Sequence, residues 1–503
     1  MTQLNTKIKG GGLDIQPAAH LYLKETRDMS NFPDLHRFPE FAYDTETTGL
    51  NAQAGDRVFG FSISTPDGAD YYWDIRREPK AVEWFTDTMR YYEGVVVCHN
   101  LSFDYIISHF TNINFSLAKA ADTVIMACLV NEHERSFSLD YLAKKYTHVT
   151  KKGDELYKKM AEILGGRPTR NAQIHRISEA PVELVSEYAK SDTRATLELY
   201  YALLRQIQIQ GLEKIVAFEQ SLTPVIIGTQ MHGVRVHLDR AQQAVSKITS
   251  QIEPLQRRLN DIAGFPCNPQ PSKDIAKLFN PTWRDGKWWA NDGTPLRETP
   301  SGKFSLDADA LRNMNHPAAD VILQLRSLIK TRDTFLVGHV LESSVNGRVY
   351  PNINQTKGEG AGTATGRLSY TTPALQQIPD RNKAVAEIVK DVFLPDEGHE
   401  WVDADMASFE VRIFAHLVGT PEIMKAYHDD PETDFHQFVA DLSGLPRNAT
   451  YTGQPNAKQL NLCVSGDTEY LSPEGWKRID QYDGGEVAQW SQDGTIQLSL
   501  IHI

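Results

Sequence analysis

The sequence predicts an α/β fold, and three stretches predict it. Residues 41–74 alternate apolar runs with turn signals, FAYDTETTGL, VFGFSIST, Pro66-Asp67-Gly68 and ADYYWD, which is the pattern of a β-meander. GVVVCHN at 94–100 reads as a buried strand that opens directly into helical periodicity in FDYIISHF. Helical spacing returns over 182–208. Strands and helices mixed in one segment make this first block, residues 36–210, an α/β domain that ends near Gln210-Gly211.

The remaining text divides by texture. Residues 1–35 form an extension whose first twelve positions are polar and glycine-rich. Residues 211–346 are helical, interrupted by a Trp-, Gly- and Pro-rich insert at 280–302. Strands and helices mix again over 347–462. From 463 to 503, short alternating segments (TEYLS, EVAQW, TIQLSL) separated by Pro473-Glu474-Gly475 and Asp493-Gly494 predict a small all-β piece. No period of 20–50 residues recurs, so a repeat array is excluded.

A chain of 503 residues with 41% hydrophobic and 23% charged residues can bury several cores. No stretch resembles a signal peptide or approaches the roughly 18 apolar residues of a membrane span, so a cytoplasmic setting without membrane partners is expected. The four cysteines, Cys98, Cys128, Cys267 and Cys463, include no CxxC pair, which argues against a disulfide framework or zinc module. The formal charge of −13 speaks against a nucleic-acid partner. Carboxylates gathered around catalytic cations produce the same balance, so motifs have to decide.

Asp44-Thr45-Glu46 closes an apolar strand, where the two-residue period sends Asp44 and Glu46 to one face. Adjacent like charges are unfavourable without a cation. His99-Asn100-Leu101-Ser102-Phe103-Asp104 leaves Asp104 in the first turn of the following helix. Tyr188 and Asp192 lie one helical turn apart and share a face. Carboxylates from three segments can hold two divalent cations roughly 3.5–4 Å apart, one activating water and one stabilising the leaving 3′ oxygen. Asp122-Thr123 and Ser138-Leu139-Asp140-Tyr141-Leu142 read as a helix cap and a packing helix.

These residues, in this order and context, resemble the DEDD 3′→5′ exonucleases of the subgroup with Tyr in the third motif, which carry a ribonuclease H-like fold. The resemblance implies that Asp44, Glu46, Asp104 and Asp192 bind two Mg²⁺ or Mn²⁺ ions, that Tyr188 positions the nucleophile, and that single-stranded DNA is a substrate. Phe103 is available to receive an unstacked base.

Thr365-Gly366-Arg367-Leu368-Ser369 and Pro373-Ala374-Leu375-Gln376-Gln377-Ile378-Pro379 resemble a signature of the family A, DNA polymerase I-type enzymes. That likeness implies primer–template contacts by Arg367, Gln376 and Gln377, whose side chains offer planar hydrogen-bonding groups. Trp401 to Arg412, with Asp403, Asp405 and Glu410, resembles polymerase motif A. An apolar strand is expected to deliver Asp405 as a ligand of both catalytic metals, with Glu410 beside the sugar of the incoming nucleotide. Asp403 competes for the metal role on the same strand face, and its distance to Glu410 and Arg412 favours Asp405. His436 falls in a helix beginning near Thr433. Asn456 to Leu462 resembles the start of the fingers helix, with Lys458 on the deoxynucleoside triphosphate and Gln454 where the family usually has Arg.

After Leu462 the resemblance changes. Cys463-Val464-Ser465-Gly466-Asp467-Thr468 followed by strand–turn–strand text resembles the amino-terminal block of an intein, which implies Cys463 as a nucleophile toward the Leu462 carbonyl. The sequence therefore predicts an extension (1–35), an exonuclease domain (36–210), a thumb and helical region (211–346), a partial right-hand palm with the start of the fingers (347–462), and an amino-terminal intein fragment (463–503). On that reading, the chain is part of a phage-type replicative polymerase with proofreading activity, and polymerisation awaits joining to a partner chain that carries the second palm carboxylate. Two alternatives stand beside it: a splicing precursor or truncated DNA-binding fragment without activity of its own, and a stand-alone 3′→5′ exonuclease.

Overall fold

The computed structural model describes residues 31–448, except 148, 150–152, 272, 300, 359–360, 364, 380–382, 407 and 420, together with four strands between 469 and 500. The expectations placed on Lys458, Gln454 and Cys463 lie outside the described residues.

The predicted meander forms as β1 (Glu40–Thr47), β2 (Val58–Ser64) and β3 (Asp70–Asp74), each antiparallel to the next. β4 (Val95–Cys98) and β5 (Ala120–Asp122) join in parallel on the other side of β1, giving the order β3-β2-β1-β4-β5. Parallel neighbours need crossover connections. α1 (Lys80–Tyr91) leads from β3 to β4, and α2 (Leu101–His109) from β4 toward β5. There follow α3 (Thr123–Val130), α4 (Leu139–Tyr146), α5 (Gly153–Leu164), α6 (Arg170–Gln173) and α7 (Val182–Gln210). Gly211 ends α7 at φ 67°, a left-handed position that costs glycine nothing.

Alternation along the strands decides what each sheet face buries. Phe41 and Tyr43 of β1, with Phe61 and Ile63 of β2, are fully buried against Trp84 and Phe85 of α1. Each such side chain contributes about 1.5–3 kcal/mol through burial. The intervening β2 residues turn to α7, where Ser62 Oγ donates to the Ala189 carbonyl (3.0 Å) and Ser64 Oγ bonds Thr193 Oγ1 (2.8 Å). α7 therefore lies on a partly polar sheet face, held by hydrogen bonds as well as by packing.

The chain continues through α8 (Glu213–His232), β6 (Val234–Val236), α9 (Leu238–Ala263), α10 (Lys273–Phe279), the three-stranded sheet β7 (Thr282–Arg284), β8 (Lys287–Trp289) and β9 (Pro295–Leu296), α11 (Ala308–Asn313), α12 (Pro317–Ile329) and a π-helix (Lys330–Leu341). Next come β10 (Ser344–Val345), β11 (Arg348–Val349), β12 (Asn352–Asn354), β13 (Ser369–Thr371), α13 (Lys383–Lys390), β14 (Phe393–Leu394), α14 (Phe409–Val418), α15 (Pro421–Asp429) and α16 (Phe435–Ser443). Contacts divide the chain into two compact units, residues 1–254 with 327–394 and residues 255–326 with 395–503. In the first unit β6 gathers β10, β11 and β14 into a sheet of order β10-β11-β6-β14.

Two segments depart from the sequence reading. The insert at 280–302, given no strands above, folds as β7–β9 because Asp285-Gly286 is a hairpin turn between β-favouring tryptophans. The strand expected to deliver Asp405 does not form. Residues 401–406 have no regular structure, with Trp401 61% and Val402 88% exposed. Strand preference is realised only against a neighbouring strand, and none pairs with this segment among the described residues. In the tail, β15 (Glu469–Ser472) pairs with β16 (Gly475–Arg478) and β17 (Glu486–Trp490) with β18 (Ile496–Leu500), both antiparallel.

Candidate active site

Asp44 and Glu46 occupy the carboxyl end of β1, the central strand of the first sheet, where pairing with β2 shifts register between Glu46 and Thr47. Asp44 lies opposite Ser62 in that ladder, so it shares the face that meets α7. Tyr188 and Asp192 come from α7. Burial first, then the negative charges of Asp192 and Glu46, and more weakly Tyr157 and Asp44, push the Tyr188 phenol well above its ordinary value. At neutral pH it therefore remains a hydroxyl that can donate a hydrogen bond.

Asp104 reaches β1 from the other face, in the first turn of α2. Its Oδ1 accepts from the Thr45 amide (3.1 Å) and from Thr45 Oγ1 (2.7 Å), and both residues are buried. Nearby, Tyr43 and Ser108 share a hydroxyl hydrogen bond of 2.8 Å, which fixes α2 on the same face of β1. Burial pushes the Asp104 carboxyl up, and Asp122 adds to the effect against the lowering influence of the Thr45 hydrogen bonds. Burial above all, with smaller contributions from the Asp104 and Asp44 charges, pushes the Cys98 thiol and the Tyr43 phenol well above their ordinary values.

Asp122 is more than the cap of α3 that its sequence suggests. It does accept from the Val124 amide at 2.8 Å, but it also accepts from the amides of Asn100 (3.1 Å) and Leu101 (2.9 Å) at the start of α2. Asn100 stands at φ 76°, a strained value for a side chain with a Cβ, and this turn delivers Asp104. Ser138 caps α4 through the Tyr141 amide (3.4 Å). Sequence reasoning missed Thr45 and the second role of Asp122. Their partners lie 59 and about 21 residues away, so no local spacing reports them.

The donor set consists of hard carboxylate oxygens, the chemistry that divalent Mg²⁺ or Mn²⁺ requires. Among the described residues no three His, Cys, Asp or Glu side chains stand together as a closed metal cage. Strand alternation sets Asp104, on the α2 side, apart from Asp44 and Glu46, on the α7 side. The residues fit the ions by chemistry and by convergence on one strand end. Asp104, a buried acid bonded to neutral donors, is the member whose charge most needs a cation.

Thr365, Gly366 and Arg367 are exposed in the loop that leads into β13. Gln376, also exposed, bonds the loop's own backbone: its Oε1 accepts from the Tyr370 amide (3.2 Å) and its Nε2 donates to the Leu368 carbonyl (2.9 Å). Gln377 is exposed. In the second unit Asp403 and Asp405 are exposed, and Glu410 stands in the first turn of α14, after Ser408 at φ 54°. His436 lies in the first turn of α16, whose cap Asp434 accepts from the His436 and Gln437 amides.

Comparison with known proteins bears on both regions. The family described as 3'-5' exonuclease matches residues 24–208, and the one described as DNA polymerase family A matches residues 238–464. DNA polymerase DpoZ of Vibrio phage phiVC8 is 50% identical over 497 residues, covering 95% of this chain and 78% of its own length. The chain belongs to family A of the DNA polymerases. DNA polymerase DpoZ of Salmonella phage PMBT28 is 43% identical, over 94% of this chain and 78% of the relative. Among solved structures, the POL domain of Pol1 from M. smegmatis, in complex with DNA primer-template and dNTP, shares the fold at a TM-score of 0.62 and 21% identity, covering 85% of this chain and 67% of that one. In this family A polymerase the exonuclease match takes in β1 through nearly all of α7, and with them Asp44, Glu46, Asp104, Tyr188 and Asp192. The polymerase match takes in Arg367, Gln376, Gln377, Asp405, Glu410, Lys458 and Cys463. Among the described residues no helix is long and apolar enough to cross a membrane.

Proposed function

We propose that this family A polymerase proofreads DNA by two-metal 3′→5′ hydrolysis at Asp44, Glu46, Asp104 and Asp192. The observation that carries the reading is convergence on the end of β1: Asp44 and Glu46 from the strand, Tyr188 and Asp192 from α7, and Asp104 tied to the strand through Thr45. Bound Mg²⁺ or Mn²⁺ would supply an activated water and charge neutralisation at the leaving 3′ oxygen. Asp44, Glu46, Asp104 and Asp192 would share the two ions between them. Tyr188 stays protonated and donates a hydrogen bond that orients the nucleophile. Asp44→Ala combined with Glu46→Ala should abolish metal-dependent degradation of single-stranded DNA by the purified chain. An unchanged nuclease rate in that variant sinks the assignment.

Primer–template and deoxynucleoside triphosphate binding belong, on the same reading, to Arg367, Gln376, Gln377, Asp405, Glu410 and Lys458, with Asp405 as a metal ligand. Gln376 also ties its loop together.

The second reading concerns the tail, where the short alternating segments expected to form an all-β piece pair as β15–β16 and β17–β18. Cys463 is the nucleophile of an amino-terminal intein fragment: its sulfur attacks the Leu462 carbonyl, the peptide C–N bond breaks as the thioester C–S bond forms, and the Cys463 amine is released. Joining to a partner chain with the rest of the splicing domain would complete the polymerase. Mass spectrometry after mixing with such a partner should show a ligated product lacking residues 463–503, and an equal yield from Cys463→Ala refutes the nucleophile.

A further inference from the structure

The hairpin β7–β8 belongs to neither site. Its turn residues Asp285 and Gly286 both take positive φ, 49° and 73°, the tight turn that suits the twist of two antiparallel strands. Register then fixes the faces: Trp283 lies opposite Trp288 on one side, and Arg284 lies opposite Lys287 on the other. Trp288 is anchored, packing edge-on to Phe304 with ring centroids 5.4 Å apart. Trp283 leans on Trp288 at 5.3 Å yet keeps 49% of its surface exposed.

The cations are the second observation. Like charges directly opposite each other destabilise a sheet. Arg284 and Lys287 are both exposed, and among the described residues neither pairs with a carboxylate, whereas Arg297 and Arg312 close by are paired with Asp307 and Asp309. The only side-chain hydrogen bond of Arg284 among the described residues runs from its Nε to Thr282 Oγ1 at 3.1 Å, which leaves the outer edge of the guanidinium facing out. Two cations held against their mutual repulsion, in a chain of formal charge −13, call for an anionic partner. An exposed indole at the same tip calls for a flat, apolar one.

We propose that this hairpin is a single-stranded DNA contact, with Arg284 and Lys287 on neighbouring phosphates and Trp283 against an unstacked base. A strand crossing the tip meets the cations on one face of the ribbon and the indole on the other. Duplex DNA offers the phosphates but keeps its bases stacked, so the aromatic half of the tip selects the single strand.

The test uses the full chain in EDTA, so that no DNA is cleaved, with a fluorescent single-stranded 20-mer and a blunt duplex titrated at several NaCl concentrations. Arg284→Gln with Lys287→Gln should weaken single-strand binding about tenfold near 0.15 M salt and lower the salt slope by roughly 1.4, the value for two phosphate contacts. Trp283→Ala should weaken it about fivefold or more without changing the slope. All three positions are exposed, and the far-UV circular dichroism spectrum and urea unfolding midpoint of both variants should match the wild type and show that the chain is folded. Single-strand affinity within twofold of wild type in both variants overturns the proposal. Loss confined to the blunt duplex overturns the single-strand assignment.

Discussion

Thr45 donates twice to one oxygen of Asp104, from its amide at 3.1 Å and from its hydroxyl at 2.7 Å, and so leaves Oδ2 as the oxygen of that carboxylate open to a cation. The residue between the two carboxylates of β1 thus aims a third from the opposite face of the strand. Thr45→Val keeps the shape and the amide donor but removes the hydroxyl. We predict a 10- to 100-fold fall in exonuclease rate, the usual cost of losing a partner that orients a metal ligand, with restoration by Thr45→Ser. A Thr45→Val rate equal to wild type at every Mg²⁺ concentration would contradict the positioning role.

Asp122 gathers the amides of Asn100, Leu101 and Val124, joining the starts of α2 and α3. Asp122→Ala would leave these donors without their acceptor in a buried corner. A loss of about 2–4 kcal/mol is expected from unsatisfied groups at about 1–3 kcal/mol each, partly relieved by water. Urea unfolding followed by tryptophan fluorescence measures it, and a loss below about 0.5 kcal/mol would show that the corner stands without the carboxylate.

Asp74 and Arg76 supply a pH-dependent element at the end of β3. Arg76 Nε and Nη2 each donate to a different Asp74 oxygen, at 2.9 and 2.6 Å, and these hydrogen bonds hold the Asp74 carboxyl below its ordinary value. A depressed carboxyl contributes stability that is present above its unfolded value, near pH 3.9, and is lost as pH falls through its lower folded value. Arg76 is half exposed, so the contribution is modest, about 1 kcal/mol. Arg76→Ala should lower the urea midpoint at pH 7, and the gap to wild type should close on acidification below about pH 4. A gap that widens in acid would show that the pair is not the cause.

Arg367 stands exposed on the loop before β13, whereas Gln376 is committed to the loop backbone. Arg367→Ala is predicted to weaken primer–template binding and to reduce its salt slope by about one. Gln376→Ala should weaken binding with an unchanged slope, because it loosens the loop without removing a charge. Equal slope changes in both variants would contradict this division of roles.

Two kinds of information separate in this chain. Local spacing determined the meander of β1–β3, the strand β4 opening into α2, the long α7, and the presence of Asp44 and Glu46 on one strand face with Tyr188 and Asp192 on one helix face. Those features follow from periods of 2 and 3.6 and from turn residues, all contained within a few positions. Family motifs in the sequence also pointed to the polymerase region.

Only tertiary structure decided the rest. Thr45 reaches Asp104 across 59 positions, and Asp122 clamps a helix that begins about 21 residues before it; such hydrogen bonds leave no periodic trace. The segment 401–406 read as a strand by composition but is exposed and irregular, because a strand exists only where a neighbour accepts its ladder. The insert at 280–302 stood out only as a Trp-, Gly- and Pro-rich break in helical text; which of its tryptophans is anchored, Trp288 on Phe304, and which stays exposed, Trp283, appears only in the folded chain. Sequence set which groups could meet, and the sheet's alternation together with the helices packed on it set which of them do.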